Sequence, residues 1–149
     1  PFVSLAMFLR KKINGKLLII YIPAQILGCL LGVMLANVFF EHDILELSTK
    51  NRDGFHIFLS EIIATFGLIF IIFATQKDGK ITIAASVATY IMAGYWFTSS
   101  TSFANPAVAI ARTFTDSFTG INYLNTPTYI LAEFLGALIA VYFIKKLIK

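Results

Sequence analysis

Glu61 and Glu133 carry the first chemical signal in this sequence, because each places a carboxyl inside a run of otherwise apolar residues. An ionisable group in such a run is expensive to bury and marks a functional site by default. One chemistry open to it is carrying a proton along a path. Gln25 sits in a third apolar run, and Asn105, followed by Pro106 and Ala107, stands where a short helix would begin. An asparagine there can cap the helix with its side-chain oxygen, while its NH₂ serves as a neutral donor. Arg112, just downstream, would offset the burial of Glu133 if the two paired. Covalent chemistry has no comparable basis. His42 and His56 only flank a polar stretch, Cys29 is the single cysteine, and no Cys, His or carboxylate spacing suggests a metal or a convergent catalytic set. Neither an enzyme nor a cofactor is expected.

The elements that must position these groups follow from composition. Of 149 residues, 58% are hydrophobic and 13% charged, where a soluble domain carries about 25% charged residues. Disorder, a collagenous repeat and a disulfide scaffold are all excluded. The net charge of +4 comes from cations spread along the chain, not gathered on a soluble face for nucleic acid. The reading is an all-α membrane protein. About 20 apolar residues cross a bilayer as a helix, and four stretches qualify: 17–40, 55–74, 81–97 and 127–144. Residues 41–54 read as a solvated loop and 76–80 as a tight turn around Gly79. Arg10, Lys11, Lys12, Lys16, Lys77, Lys80, Lys145, Lys146 and Lys149 share one side of this arrangement. Cations near span ends stay cytoplasmic, so the first span runs outward and the C-terminus is cytoplasmic in a multi-pass cell-membrane protein. The other side keeps Lys50, Arg52 and Arg112.

Two short segments that fit neither spans nor loops match each other. Pro1-Phe2-Val3-Ser4-Leu5-Ala6 aligns with Pro106-Ala107-Val108-Ala109-Ile110-Ala111, and each precedes a second match, Ala24-Gln25-Ile26-Leu27-Gly28 and Ala132-Glu133-Phe134-Leu135-Gly136. Two motifs in one order at nearly one separation mark a duplicated unit. Three spans lie between the copies, so they enter the membrane from opposite sides and the repeat is inverted. Each opens with proline, suited to a first helical turn. Residues 1–12 read as the remnant of a first half-helix and 99–116 as a re-entrant loop and second half-helix; the run from Pro106 to Asp116 is too short to span, and such a half-helix is tolerated at membrane depth only where protein buries it or water lines it. The meeting of the two half-helices near the midplane is the expected geometry of a transport path. Gly28 and Gly32, with Gly136 and Ala140, have the small-xxx-small spacing of close helix crossings. The second unit has two spans ahead of its short motif and the first has none. Symmetry therefore predicts two helices upstream of Pro1, with an asparagine just before it, and the lack of an initiating methionine agrees with a partial chain.

Asn105-Pro106-Ala107, after Ser99-Ser100-Thr101-Ser102-Phe103-Ala104, resembles the second Asn-Pro-Ala box of the aquaporin and aquaglyceroporin family, and Pro1-Phe2 resembles the tail of the first box. Glu61-Ile62-Ile63-Ala64-Thr65-Phe66-Gly67 is similar to the start of the family's fourth membrane helix, and Ala24-Gln25-Ile26-Leu27-Gly28 to its third. The resemblance covers nearly the whole of 1–149 and implies an inverted repeat of helices with two re-entrant half-helices. It implies that Asn105 and the positive end of its half-helix let water and neutral solutes pass and bar protons and cations. It also implies that Glu61 accepts hydrogen bonds from the re-entrant backbone, freeing that backbone's carbonyls for the pore. Gln25 and Glu133 would be buried polar supports of the same kind, with Arg112 as the partner of Glu133. A homotetramer with one pore per subunit follows from the same resemblance.

One departure bears on the solute. Most of the family's channels place arginine directly after the second box, where this chain has Val108; the other filter positions fall at Ala93 and Ser102. These small residues imply a wide, weakly polar constriction for uncharged solutes such as glycerol, urea or neutral metalloid hydroxides like arsenite. Arg112, one turn on, and Phe2, where the family usually has alanine, leave open what else shapes the opening. Two rivals are a proton-coupled carrier using Glu61 and Glu133, and a structural membrane protein with a closed pore.

Overall fold

The computed structural model describes residues 1–147 as six helices: α1 (Phe2–Leu9), α2 (Gly15–Phe39), α3 (Phe55–Ala74), α4 (Lys80–Phe97), α5 (Pro106–Ala111) and α6 (Thr126–Leu147). Short 3₁₀ turns at Gln76–Asp78 and Arg112–Phe114 precede α4 and follow α5. No strand occurs among the described residues. Local chemistry fixes the starts. Asn14 accepts the N–H of Leu17 at 2.9 Å and opens α2, while Gly54 (φ 110°) and Gly79 (φ 93°) precede α3 and α4 in a conformation that only glycine adopts easily. The expected turn at Gly79 is therefore present.

All four expected spans form as helices within a few residues of the predicted limits. Three, α2, α3 and α6, are long and apolar enough to cross a membrane. The shorter α4 opens on Lys80 and carries Thr82, Ser86, Thr89 and Tyr90, polar residues that dilute its apolar character.

The packing is organised on α3 and α6, which run parallel. Near their starts, Ile57 and Tyr129 join one buried cluster with Phe103, Ala109 and Ile121. Toward their ends, Ile69 and Phe73 join Ala137, Ala140, Val141 and Ile144 in another that also takes Ala6 of α1. The two short helices thus occupy opposite halves of the same groove. They start at one level: Phe2 sits against Phe134, with ring centroids 5.7 Å apart, and the Asn105 N–H reaches the neighbouring Glu133. From there α1 runs toward the ends of α3 and α6 and α5 toward their starts, which is the inversion that the repeat predicts.

The glycine spacing is only half explained by this packing. A Cβ on Gly136 would press on the Ile62 carbonyl and lie 3.1 Å from Thr65 Cβ and Phe66 N, so glycine lets α6 approach α3. Gly28 and Gly32 are different. A Cβ at either meets nothing within 4 Å, and no residue of the most apolar part of α2 is buried. They do not mark crossings between described elements, because α2 meets its neighbours through its other residues.

The 41–54 segment is the loop expected, with most of its residues exposed, and it is also tied down at several points. Ser48 N–H donates to the Thr113 carbonyl (2.9 Å), Asn122 N–H donates to the Lys50 carbonyl (2.8 Å), and Asn37 Nδ2 donates to the Phe114 carbonyl (2.9 Å). The chain leaving α5 needs partners for its backbone groups, and this loop supplies them.

Gly136→Ala should lower the stability of the chain by about 1–3 kcal/mol, as overpacking of a tight contact does. Thermal unfolding in detergent would show the fall, with Gly28→Ala in the same chain leaving the midpoint unchanged.

Candidate functional site

The segment from Thr98 to Asn105 links α4 to α5 with irregular backbone. Thr101 (φ 66°), Ser102 (φ 50°) and Ala104 (φ 48°) all lie in the left-handed region, which costs non-glycine residues roughly 1–3 kcal/mol each unless surroundings hold them there. The holding groups are Glu61 and Glu133. Glu61 Oε1 accepts the N–H of Phe103 at 2.9 Å and its Oε2 the N–H of Ala104 at 2.8 Å. Glu133 Oε1 accepts the N–H of Asn105 at 3.0 Å. Both glutamates are fully buried.

Three consecutive N–H groups thus point to one side. In a planar trans peptide the preceding carbonyl points the opposite way, so the carbonyls of Ser102, Phe103 and Ala104 are turned away from the two carboxylates. They form a row of acceptors with a common direction. Asn105 ends the row. Its Oδ1 accepts the Ala107 N–H at 3.0 Å and caps α5, with Pro106 at the first helical position. That commitment turns the NH₂ of Asn105 away from the helix. A neutral donor, a row of carbonyls and the positive end of a short helix therefore lie side by side, able to orient a small hydroxylated molecule or a water.

The supports expected from the sequence behave individually. Glu61 accepts loop N–H groups as the resemblance implies. Gln25 donates from Nε2 to Ser4 Oγ at 2.8 Å, tying α2 to α1, as Glu133 ties α6 to the start of α5. The expected Arg112–Glu133 pair does not form: no ion pair between them occurs among the described residues, whose ion pairs are His42–Glu46 and Lys50–Asp116. Arg112 leaves α5 at the far end from Glu133, and its guanidinium carbon lies 5.9 Å from the Phe103 ring centroid. Among the described residues no N–H or O–H group donates to Glu133 Oε2.

Around the expected constriction, Ser102 is buried against Gly94 of α4, where a Cβ would come within 2.6 Å of its Oγ. Ala93, the residue before Gly94, is exposed. Val108 is half-buried and lines a cavity of about 630 Å³ with Cys29, Val33 and Arg112. Pro1 is buried, and Phe2 is engaged with Phe134 on α6. Among the described residues no group of three His, Cys, Asp or Glu could hold a metal.

Sequence reasoning missed two participants, Arg52 and Asp116. Arg52 donates its backbone N–H to Asn125 Oδ1 (3.0 Å) and an Nη1 hydrogen to Thr101 Oγ1 (3.1 Å), and its guanidinium lies 6.0 Å from the Phe103 centroid. Asp116 accepts the Thr49 N–H at 2.9 Å and the Thr49 hydroxyl at 3.0 Å, with Lys50 Nζ 3.9 Å away. Neither partner is near in sequence, so only the low cation count on that side gave any signal.

Comparison with known proteins bears on this arrangement. A family model described as Major intrinsic protein matches residues 1–97. The chain is 42% identical over 140 residues to the Aquaglyceroporin AqpS of Rhizobium meliloti (strain 1021), across 94% of this chain and 60% of that protein. It therefore spans less than two thirds of that relative's length. No solved structure matches it.

Two outcomes are expected. Glu61→Gln replaces one acceptor by an NH₂ that faces a backbone N–H, so it should destabilise the fold by about 1–3 kcal/mol, measured as a lower unfolding midpoint. Hydrogen bonding from the Thr49 N–H holds the Asp116 carboxyl below the usual carboxylate range. Its contribution is thus present above the unfolded value of about 3.9 and lost as pH falls through the lower folded value. The Thr49 amide resonance should titrate below the free-carboxylate midpoint, and Asp116→Asn should abolish that titration.

Proposed function

The chain belongs to the major intrinsic protein family, and from that premise we propose that it forms a passive membrane channel for water and small uncharged solutes. The observation that carries the reading is the strained Thr98–Asn105 segment, whose N–H groups are taken by Glu61 and Glu133 while its carbonyls and the Asn105 NH₂ are left for a solute. A path of fixed dipoles beside a helix N-terminus suits neutral molecules and opposes cations and protons. The solutes proposed are glycerol-like polyols, urea and neutral metalloid hydroxides such as arsenite, because Ala93, Ser102 and Val108 are small and uncharged. The name of the Rhizobium meliloti relative, an aquaglyceroporin, supports this choice. No chemistry on the solute is part of the proposal.

The architecture proposed for the membrane has α2, α3, α4 and α6 as spans, α1 and α5 as half-helices, and the C-terminus on the cytoplasmic side of the cell membrane. Two further helices would cover the open Gly28 and Gly32 face of α2, since the equivalent Gly136 on α6 is where α3 packs. Subunits would assemble as a homotetramer with one pore each.

Glu61 fits the role of a support better than the rival role of proton carrier, because each of its oxygens accepts a backbone N–H of the loop. Val108→Arg in the full-length protein tests the channel reading. Reconstituted in vesicles and followed by light scattering, it should reduce glycerol entry more than water entry. An equal effect on both would rule out the wide constriction.

A further inference from the structure

We propose that the corner between α1 and α2 is a docking surface for an anionic phospholipid, an inference independent of which solute the path carries. A cavity of about 620 Å³ opens there, walled by Phe8, Leu9, Ile13 and Leu17 together with Lys11 and Lys12. Phe8, Leu9 and Leu17 are exposed, as are both lysines. The charge around the cavity has one sign: residues 1–40 hold Arg10, Lys11, Lys12 and Lys16 and no Asp or Glu. Among the described residues neither Lys11 nor Lys12 forms an ion pair. The depth of the corner is set by α2, an apolar helix long enough to cross a membrane. Its 25 residues, at about 1.5 Å each, span about 37 Å, more than a hydrocarbon core of about 30 Å. The first turn of α2, and the corner beside it, therefore stand at the level of lipid headgroups.

The backbone of the corner adds a second observation. Past the end of α1, the Lys11 N–H donates to the Phe8 carbonyl and the Lys12 N–H to the Met7 carbonyl, both at 2.8 Å, which leaves Lys11 in the left-handed region (φ 57°). In this way of closing a helix the left-handed place usually belongs to glycine, because a side chain there is strained. The chain accepts that strain and carries a cation at the cavity instead. Lysine stems lie along apolar surface while their ammonium groups reach a polar layer, and basic residues beside a membrane attract anionic lipid. An acidic protein or a nucleic acid would meet the lysines but leave four apolar side chains in water. A phospholipid engages both, with its phosphate at the ammonium groups and an acyl chain against Phe8, Leu9, Ile13 and Leu17.

The test uses the full-length protein in detergent, titrated with phosphatidylglycerol, phosphatidylcholine or inorganic phosphate. Bound lipid is counted by native mass spectrometry, and the unfolding midpoint is followed in parallel. Phosphatidylglycerol should bind and raise the midpoint, since a ligand of the folded state stabilises it; the other two should not. Lys11→Gln and Lys12→Gln should each weaken that binding by about fivefold. Lys77→Gln with Lys80→Gln, which removes cations from the turn before α4, should leave it unchanged. Lys11→Gly separates docking from strain: it should raise the lipid-free midpoint and weaken phosphatidylglycerol binding as much as Lys11→Gln does. Equal binding of phosphatidylcholine, an equal loss from the Lys77 and Lys80 pair, or undiminished affinity in Lys11→Gly overturns the proposal. So does inorganic phosphate binding as tightly as the lipid, which would mark a plain anion site. None of these readouts depends on solute flux, so failure of the channel reading would leave them unchanged.

Discussion

Two buried carboxyl groups and the three backbone N–H groups they accept are the constraint on which the rest of the structure depends. Burying Glu61 and Glu133 is costly unless donors compensate, and holding Thr101, Ser102 and Ala104 at positive φ is costly unless something fixes them. Each cost is met by the other. The glutamates receive the N–H groups of Phe103, Ala104 and Asn105, and the loop is kept in the one conformation that aims its carbonyls away from α3 and α6. Glu133 is less completely served, since among the described residues no N–H or O–H group donates to its Oε2.

The duplication explains why the supports come in related pairs. Gln25 and Glu133 occupy matching places in the two copies, and each ties a long helix to a short one, Gln25 through Ser4 and Glu133 through Asn105. The copies differ in how completely they are packed. Gly136 lies hard against α3, whereas its counterpart Gly28 faces open space. That contrast is why two additional helices are proposed on α2. The charged residues sort in the same framework: cations group before α2 and before α4, the acidic groups inside α3 and α6 hold the loop, and Arg52 and Arg112 share a ring beside it.

Much of this was legible in the sequence because it depends on local patterns. Apolar runs set the long helices, Gly79 set a turn, and the paired Pro-led motifs disclosed an inversion that the opposite courses of α1 and α5 reproduce. Asn105 was readable as a cap because capping acts over two or three residues. What depended on tertiary contact was not readable. The Arg112–Glu133 pair was inferred from burial and proximity in the chain, but α5 carries Arg112 away from Glu133 and onto Phe103. The loop 41–54 was readable as solvated from its charges and is mostly exposed, but the bonds by which its backbone and Asp116 join it to the segment after α5 were not readable. Arg52 was missed for the same reason, its partners Thr101 and Asn125 being far along the chain.

The central claim, that the loop lines a passive path, is tested most directly by the equilibrium distribution of a neutral solute across vesicles bearing the full-length protein under an imposed pH gradient. The account predicts faster equilibration of glycerol than in protein-free vesicles, ending at equal concentrations inside and out whatever the gradient. Glycerol accumulating in proportion to the pH gradient, or equilibrating no faster than without protein, would contradict it.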